Sequence, residues 1–170
     1  GLGDVYKRQI MYKGVSNKNS TMSLPVPMLN IMNGGCHANN SVDIQEFMII
    51  PSNKFNFKDG LMKSVEVYTH LKNLLIEKGL SVSVGDEGGF APNLKTSEEV
   101  LDLIILSIER AGLIYLDDIS IALDCAASEL FNKDTYRLTG ENKKYSSEEM
   151  VVYIQSLVDK YEIKSVEDPF

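Results

Sequence analysis

The strongest constraint on this chain is an alternation in which amphipathic helical segments are followed by short apolar runs, and those runs end in acidic residues. From Lys58 to Leu80, Leu61, Val65, Tyr68, Leu71 and Leu75 recur every three or four residues, which places them on one helix face. Gly79 suits the left-handed position that closes a helix. The run SVSV (Ser81 to Val84) then reads as a short strand, broken by GDEGG. A second helix opens at Thr96, which forms a capping-box pattern with Glu99. Val100, Leu103, Ile104 and Ile108 make its buried stripe, and Gly112 ends it. ISIALD (Ile119 to Asp124) is the next strand. TYRLTG (Thr135 to Gly140) is a small excursion in the loop beyond it. Ser146 and Glu149 repeat the capping box before a helix with Val151, Ile154, Leu157, Val158 and Tyr161 on its inner face. IKSVED (Ile163 to Asp168) is the strand that follows.

Helix and strand alternating at this spacing imply parallel strands joined by crossover helices. Asp86 and Glu87, then Asp124, then Glu167 and Asp168 close three strand candidates. Parallel neighbours would carry Asp124 and Glu167 to the same sheet end, where β/α barrels assemble their chemistry. Any one of these acids alone could be a solvated loop residue or a helix cap. As a set on one rim they point to a metal or acid–base site.

Composition excludes several classes. The formal charge of −7 leaves no basic surplus to meet nucleic-acid phosphates. No apolar run approaches the ~20 residues of a membrane span, and the first residues lack signal-peptide architecture, so a cytoplasmic protein is the expectation. Cys36 and Cys125 read as free thiols. Cys125, next to a strand-end acid, should face the core. His70 reads as a surface or packing residue, and Met28, Met32 and Met48 as core.

Four segments carry a family resemblance. LPVPMLNIMNGGCHANN (Leu24 to Asn40) runs into VDIQEFMIIP (Val42 to Pro51), and GDEGGFAPN (Gly85 to Asn93), ALDCAASEL (Ala122 to Leu130) and SVEDPF (Ser165 to Phe170) follow. Each is similar to an enolase signature, and they stand in enolase order from about Met11 to Phe170. The resemblance implies an α/β fold: a partial enolase-type TIM-like (β/α) barrel, with the N-terminal α+β domain and the later barrel strands absent. Residues 1–9 (GLGDVYKRQ) match nothing in that family and read as a leader remnant. Residues 10–170 then make the N-terminal portion of the barrel domain. A complete barrel takes about 250 residues, so the isolated chain is expected to expose a sheet edge and fold poorly.

The same resemblance implies Mg²⁺-dependent interconversion of 2-phosphoglycerate and phosphoenolpyruvate, a small-molecule substrate, and a homodimeric parent. Asp124 and Glu167 match two of three metal-binding carboxylates, and hard oxygen donors suit Mg²⁺. Glu87 matches the acid that protonates the departing hydroxyl, and so must hold a proton far above the ~4.3 of free Glu. Glu46 matches a second catalytic-site glutamate whose proximity would raise one of the two pKa values. His37 matches a substrate-contacting histidine on a mobile glycine-rich loop. Gln45 matches a substrate-binding residue, as do Glu46 and Glu167. The proton-abstracting Lys, a second Lys, the third metal-binding Asp and the phosphate-contacting residues belong to later strands of that family. Two other readings stand beside this one: a racemase or cycloisomerase of the same superfamily, and a non-catalytic paralogue with a structural or surface-binding role. The NGG–His loop with QEF and GDEGG disfavours the first, and retention of Glu87 and Asp124 disfavours the second.

Overall fold

A computed structural model describes residues 24–170, so the leader expected at residues 1–9 and the start of the 10–170 segment lie outside the described residues. The chain runs through β1 (Leu29–Asn33), β2 (Glu46–Pro51), α1 (Phe57–Glu77), α2 (Ser97–Arg110), β3 (Ile119–Asp124), a one-turn α3 (Ala127–Leu130), β4 (Phe131–Asn132), β5 (Thr135–Leu138), β6 (Lys143–Tyr145), α4 (Ser147–Tyr161) and β7 (Ser165–Glu167). Four strands form the main sheet in the order β1-β2-β3-β7, and β4-β5-β6 form a separate antiparallel sheet. The main sheet does not close into a barrel among the described residues. This is the partial α/β barrel that the sequence led us to expect.

Strand direction corrects one expectation. β3 and β7 are parallel, but β1–β2 and β2–β3 are antiparallel. The helix count in each connection explains the difference. Besides the one-turn α3 and the small sheet, a single long helix, α4, lies between β3 and β7 and returns the chain to the starting end, giving a parallel neighbour. Two helices, α1 and α2, lie between β2 and β3. The chain crosses the sheet once more and pairs Pro51 with Ile119.

SVSV is not a strand. Only Val84 bridges to Phe90, and Ser81, Ser83 and Val84 are exposed, so no buried face rewards extension. The stripe on α1 is also rotated from the expected one. Its buried positions are Gly60, Ser64, Val67, Leu71, Leu74 and Leu75, whereas Leu61 and Val65 are 37% and 51% exposed. The small residues decide the rotation: a Cβ on Gly60 would stand 3.1 Å from the Pro51 ring, so the bare backbone lets α1 approach β2. The Ser64 hydroxyl donates back to the Gly60 carbonyl at 2.9 Å. On α4, Val151 is exposed, and Met150 and Tyr153 join Ile154, Leu157 and Tyr161 inside. Met28 is exposed while Met32 and Met48 are buried.

Other expectations hold. Val100, Leu103, Ile104 and Ile108 are buried on α2. Gly79 and Gly112 close α1 and α2 at φ +68° and +71°. Ser146 and Glu149 make both bonds of a capping box. At α2 the Thr96 hydroxyl accepts from the Glu99 amide, but the Glu99 carboxylate reaches the Lys95 amide instead. Phe47, Ile49, Ile121 and Leu123 alternate onto the buried sheet face and share one core with Leu71, Leu75, Ile104 and Ile108 of the helices. Both cysteines are free thiols, with Cys125 buried. Among the described residues no helix is long and apolar enough to cross a membrane.

Candidate active site

Sheet register assembles the acids. Across β1, β2, β3 and β7, Asn33 stands opposite Glu46, Glu46 opposite Asp124, and Asp124 opposite Glu167. Directly opposed residues share a face with Cβ atoms about 5 Å apart. Asn33, Glu46, Asp124 and Glu167 therefore form one lateral row at a single sheet rim. For β3 and β7 that rim is the C-terminal end, as the sequence led us to expect.

Glu87 reaches the row from above, on the GDEGG turn. The Gly85 amide donates to the Gly89 carbonyl (2.8 Å) and the Gly88 amide to the Gly85 carbonyl (3.1 Å). Gly88 takes φ +83°, a conformation natural to glycine. The turn is bound to β1 by Phe90 amide to Ile31 carbonyl and by Asn33 amide to Phe90 carbonyl. Tyr68 of α1 donates its hydroxyl to the Gly88 carbonyl at 2.7 Å, and its ring stacks on Phe90 with centroids 4.3 Å apart.

His37 enters on a one-turn 3₁₀ segment, Gly35–His37. Gly34 is tightly enclosed, since a Cβ there would lie 2.4 Å from the Ile44 carbonyl oxygen. The His37 carbonyl accepts from the Asp86 amide at 3.0 Å, tying this loop to the GDEGG turn. One ligand atom each from His37, Glu46 and Glu87 falls within 4.8 Å of the others. His37 Nδ1 stands 3.3 Å from Glu46 Oε1. Burial pushes the Glu46 carboxyl up, a hydrogen bond with Glu87 and the charges of Glu87 and Asp124 push it further, and His37 opposes them; the result is about 7. A carboxyl–carboxyl hydrogen bond requires a proton on one partner. Glu46 is the buried member of the pair and Glu87 the exposed one.

Gln45 departs from the group. As the strand-alternate neighbour of Glu46 it faces away, into a cleft of about 610 Å³ shared with Cys36, Asp43, Glu129 and Arg137. In that cleft the Cys36 thiol donates to Glu129 at 3.4 Å, and this bond with its carboxylate charge raises the thiol pKa. A second cleft of about 690 Å³ holds His37 with Asn39, Ser83, Asp86 and Asn93. Burial and the charges of Asp124 and Asp168 push the Cys125 thiol up to about 12.

Asp124 Oδ1 accepts from the Ala126 amide at 3.0 Å, and Ala126 takes φ +43°. Cys125 and Ala127 donate to the carbonyls of Glu167 and Asp168. The turn after Asp124 is thus welded to the end of β7, where Asp124 and Glu167 are directly paired residues. Residues 21–170 match the family model described as enolase, C-terminal TIM barrel domain. The chain belongs to that family. Its members typically use Mg²⁺, and Asp124 and Glu167, paired residues at one rim, fit such a cation by donor chemistry, being hard oxygens only. The His37–Glu46–Glu87 group includes an imidazole and suits Mg²⁺ less well.

Three further residues that the sequence does not single out shape this rim. Asn33 completes the row, Tyr68 holds the GDEGG turn, and Asp43 accepts from the amides of Gly140 and Glu141, both at 2.9 Å, docking the β5–β6 turn beside the His37 loop. Tyr68 lies on α1 as its spacing predicts, but the spacing gives no sign of its bond to the turn. Asn33 and Asp43 sit within quoted motifs, and only long-range pairing distinguishes them.

Proposed function

We propose that this chain is part of an enolase proper, a lyase that interconverts 2-phosphoglycerate and phosphoenolpyruvate. The observation that carries the reading is the carboxyl pair Glu46–Glu87 beside His37, adjoining the Asp124–Glu167 pair on one rim. Dehydration requires removal of a weakly acidic proton beside a carboxylate and expulsion of hydroxide from the next carbon. The second step needs a carboxyl that still holds a proton near neutrality. A Glu46 value near 7 supplies one to the shared pair, and Glu87, the exposed member, is positioned to hand it to the departing hydroxyl. His37 closes one side of the site and contacts substrate. Asp124 and Glu167 would hold Mg²⁺, which when bound supplies Lewis-acid relief of the negative charge accumulating on the substrate carboxylate. A homodimeric cytoplasmic parent accords with this reading.

The test uses the full-length protein that contains this chain. Glu87→Gln keeps the shape and removes the transferable proton, so kcat for 2-phosphoglycerate dehydration should fall by about 10²–10⁴-fold, with substrate binding retained by calorimetry. Near-normal turnover would exclude Glu87 as the acid.

A further inference from the structure

The β5–β6 turn has no part in the chemistry described so far, yet one buried carboxylate fastens it to the loop that carries His37. Asp43 is 6% exposed. Its Oδ1 accepts from the Gly140 amide and its Oδ2 from the Glu141 amide, both at 2.9 Å, and the Thr139 hydroxyl donates to Oδ1 at 3.4 Å. A carboxylate accepting from main-chain amides makes bonds roughly twice as strong as neutral ones. With both oxygens on backbone donors, Asp43 fixes one stretch of main chain against another. The fit beside it is close. A Cβ on Gly140 would stand 1.7 Å from the Ser41 carbonyl oxygen, so the turn seats on the loop only because that side chain is missing.

Asp43 lies at the base of the His37 loop. The Gly35 amide donates to the Val42 carbonyl at 2.7 Å and the Gly34 amide to the Gln45 carbonyl at 2.9 Å. The chain leading into His37 is thus bonded to the returning chain on either side of Asp43. A Cβ on Gly35 would lie 3.2 Å from the Asp43 carbonyl oxygen. Movement at Asp43 passes to Gly34 and Gly35, and His37 follows. On its opposite side the loop is tied to residues 86–94, through the Asp86 amide on the His37 carbonyl and through the side chains of Asn40 and Ser41. Asp43 is the tie on the hairpin side. Glu46 and Glu87 are held by other means, sheet register and the GDEGG turn.

We propose that Asp43 is a positioning residue for His37: bound through both carboxylate oxygens to the β5–β6 turn, it fixes the base of the loop so that the imidazole stands where it meets substrate. The inference rests on the dehydratase reading above and deepens it, because it gives the small sheet a part in substrate binding.

The experiment is Asp43→Asn in the full-length protein, alone and combined with His37→Ala, read by kcat and KM for 2-phosphoglycerate and by thermal midpoint. An amide has one acceptor oxygen, so its NH₂ group is turned toward a main-chain N–H and one arm of the clamp is lost. KM should rise at least about fivefold while kcat changes less than about twofold, the pattern of lost ground-state binding. With His37→Ala in place, the same substitution should move KM less than about twofold, because the residue it acts through is gone. A wild-type KM in Asp43→Asn overturns the proposal. So does a KM rise that persists undiminished without the imidazole, and so does a fall in kcat alone that tracks a lowered thermal midpoint. If Asp43→Asn does not fold, Gly140→Ala decides: its methyl pushes the turn off Ser41 from the other side, the same KM rise is expected, and an unchanged KM overturns the proposal equally. A wild-type protein that does not dehydrate 2-phosphoglycerate defeats the dehydratase reading and this inference with it, an outcome distinct from active wild type with an unaltered KM in the variants.

Discussion

Glu46 owes its elevated pKa first to burial and then to Glu87, and this has a consequence for stability that can be measured without substrate. In the unfolded chain the carboxyl ionises near its ordinary value of 4.5, and in the folded chain near 7. The fold therefore favours the protonated form. That contribution is fully present below 4.5 and is lost as pH rises through about 7. Holding a carboxyl at 7 instead of 4.5 corresponds to roughly 3 kcal/mol against the ionised form as a ceiling. Glu46→Gln should accordingly raise the thermal midpoint relative to wild type at pH 8 and change it much less at pH 5. An equal shift at both values would show that Glu46 does not carry the titration. Burial is what the sequence could not express: QEF gives no sign that Glu46 lies inside and Gln45 half-outside, because pleating and the pairing with Asp124 decide it.

At the scale of elements, the GDEGG turn and β1 fit so closely that the glycines are structural requirements of the site. A methyl at Gly89 would meet Asn33 Oδ1 at 2.6 Å and the Met32 amide nitrogen at 2.8 Å, the latter backbone that cannot swing aside. Gly89→Ala should destabilise the protein by about 1–3 kcal/mol through overpacking, read as a lower denaturation midpoint. It should also lower turnover by lifting Glu87. The contrast with the helices shows which elements were legible. The expected stripe on α2 is buried in full, since Ser97 and Ser107 are its only polar buried positions. α1 was misread because Gly60 and Ser64, not Leu61 and Val65, face the sheet, and close approach rather than hydrophobicity selects them. β3 was legible to the residue, being almost wholly apolar between turns. The antiparallel pairing of β2 was not, because it follows from two helices crossing in succession and not from any local pattern.

At the scale of the whole molecule, the small sheet and two of the helices meet at Glu141. Its carboxylate accepts from the Ser97 amide and hydroxyl at the start of α2, from the Tyr153 hydroxyl on α4, and from Lys143 on β6, at 2.7–2.9 Å. Burial by itself would push this carboxyl up, but the Lys143 ammonium, the Ser97 donors and Tyr153 outweigh it and hold the pKa below the ordinary 4.5. The sign of the linkage follows from that direction. The network stabilises the fold fully above 4.5, and the benefit is lost as pH falls below 4.5 through the depressed folded value. The Asp43 bonds to Gly140 and Glu141 then pass this rigidity to the segment just before Glu46. Glu141→Gln keeps the volume but removes the charge that Lys143 and the other donors face. It should cost about 1–3 kcal/mol at pH 7, read as a lower urea midpoint, and the gap from wild type should narrow as pH falls below 4.5. A gap that persists unchanged into acid would mean that geometry alone, and not the ionised carboxylate, joins the hairpin to the helices.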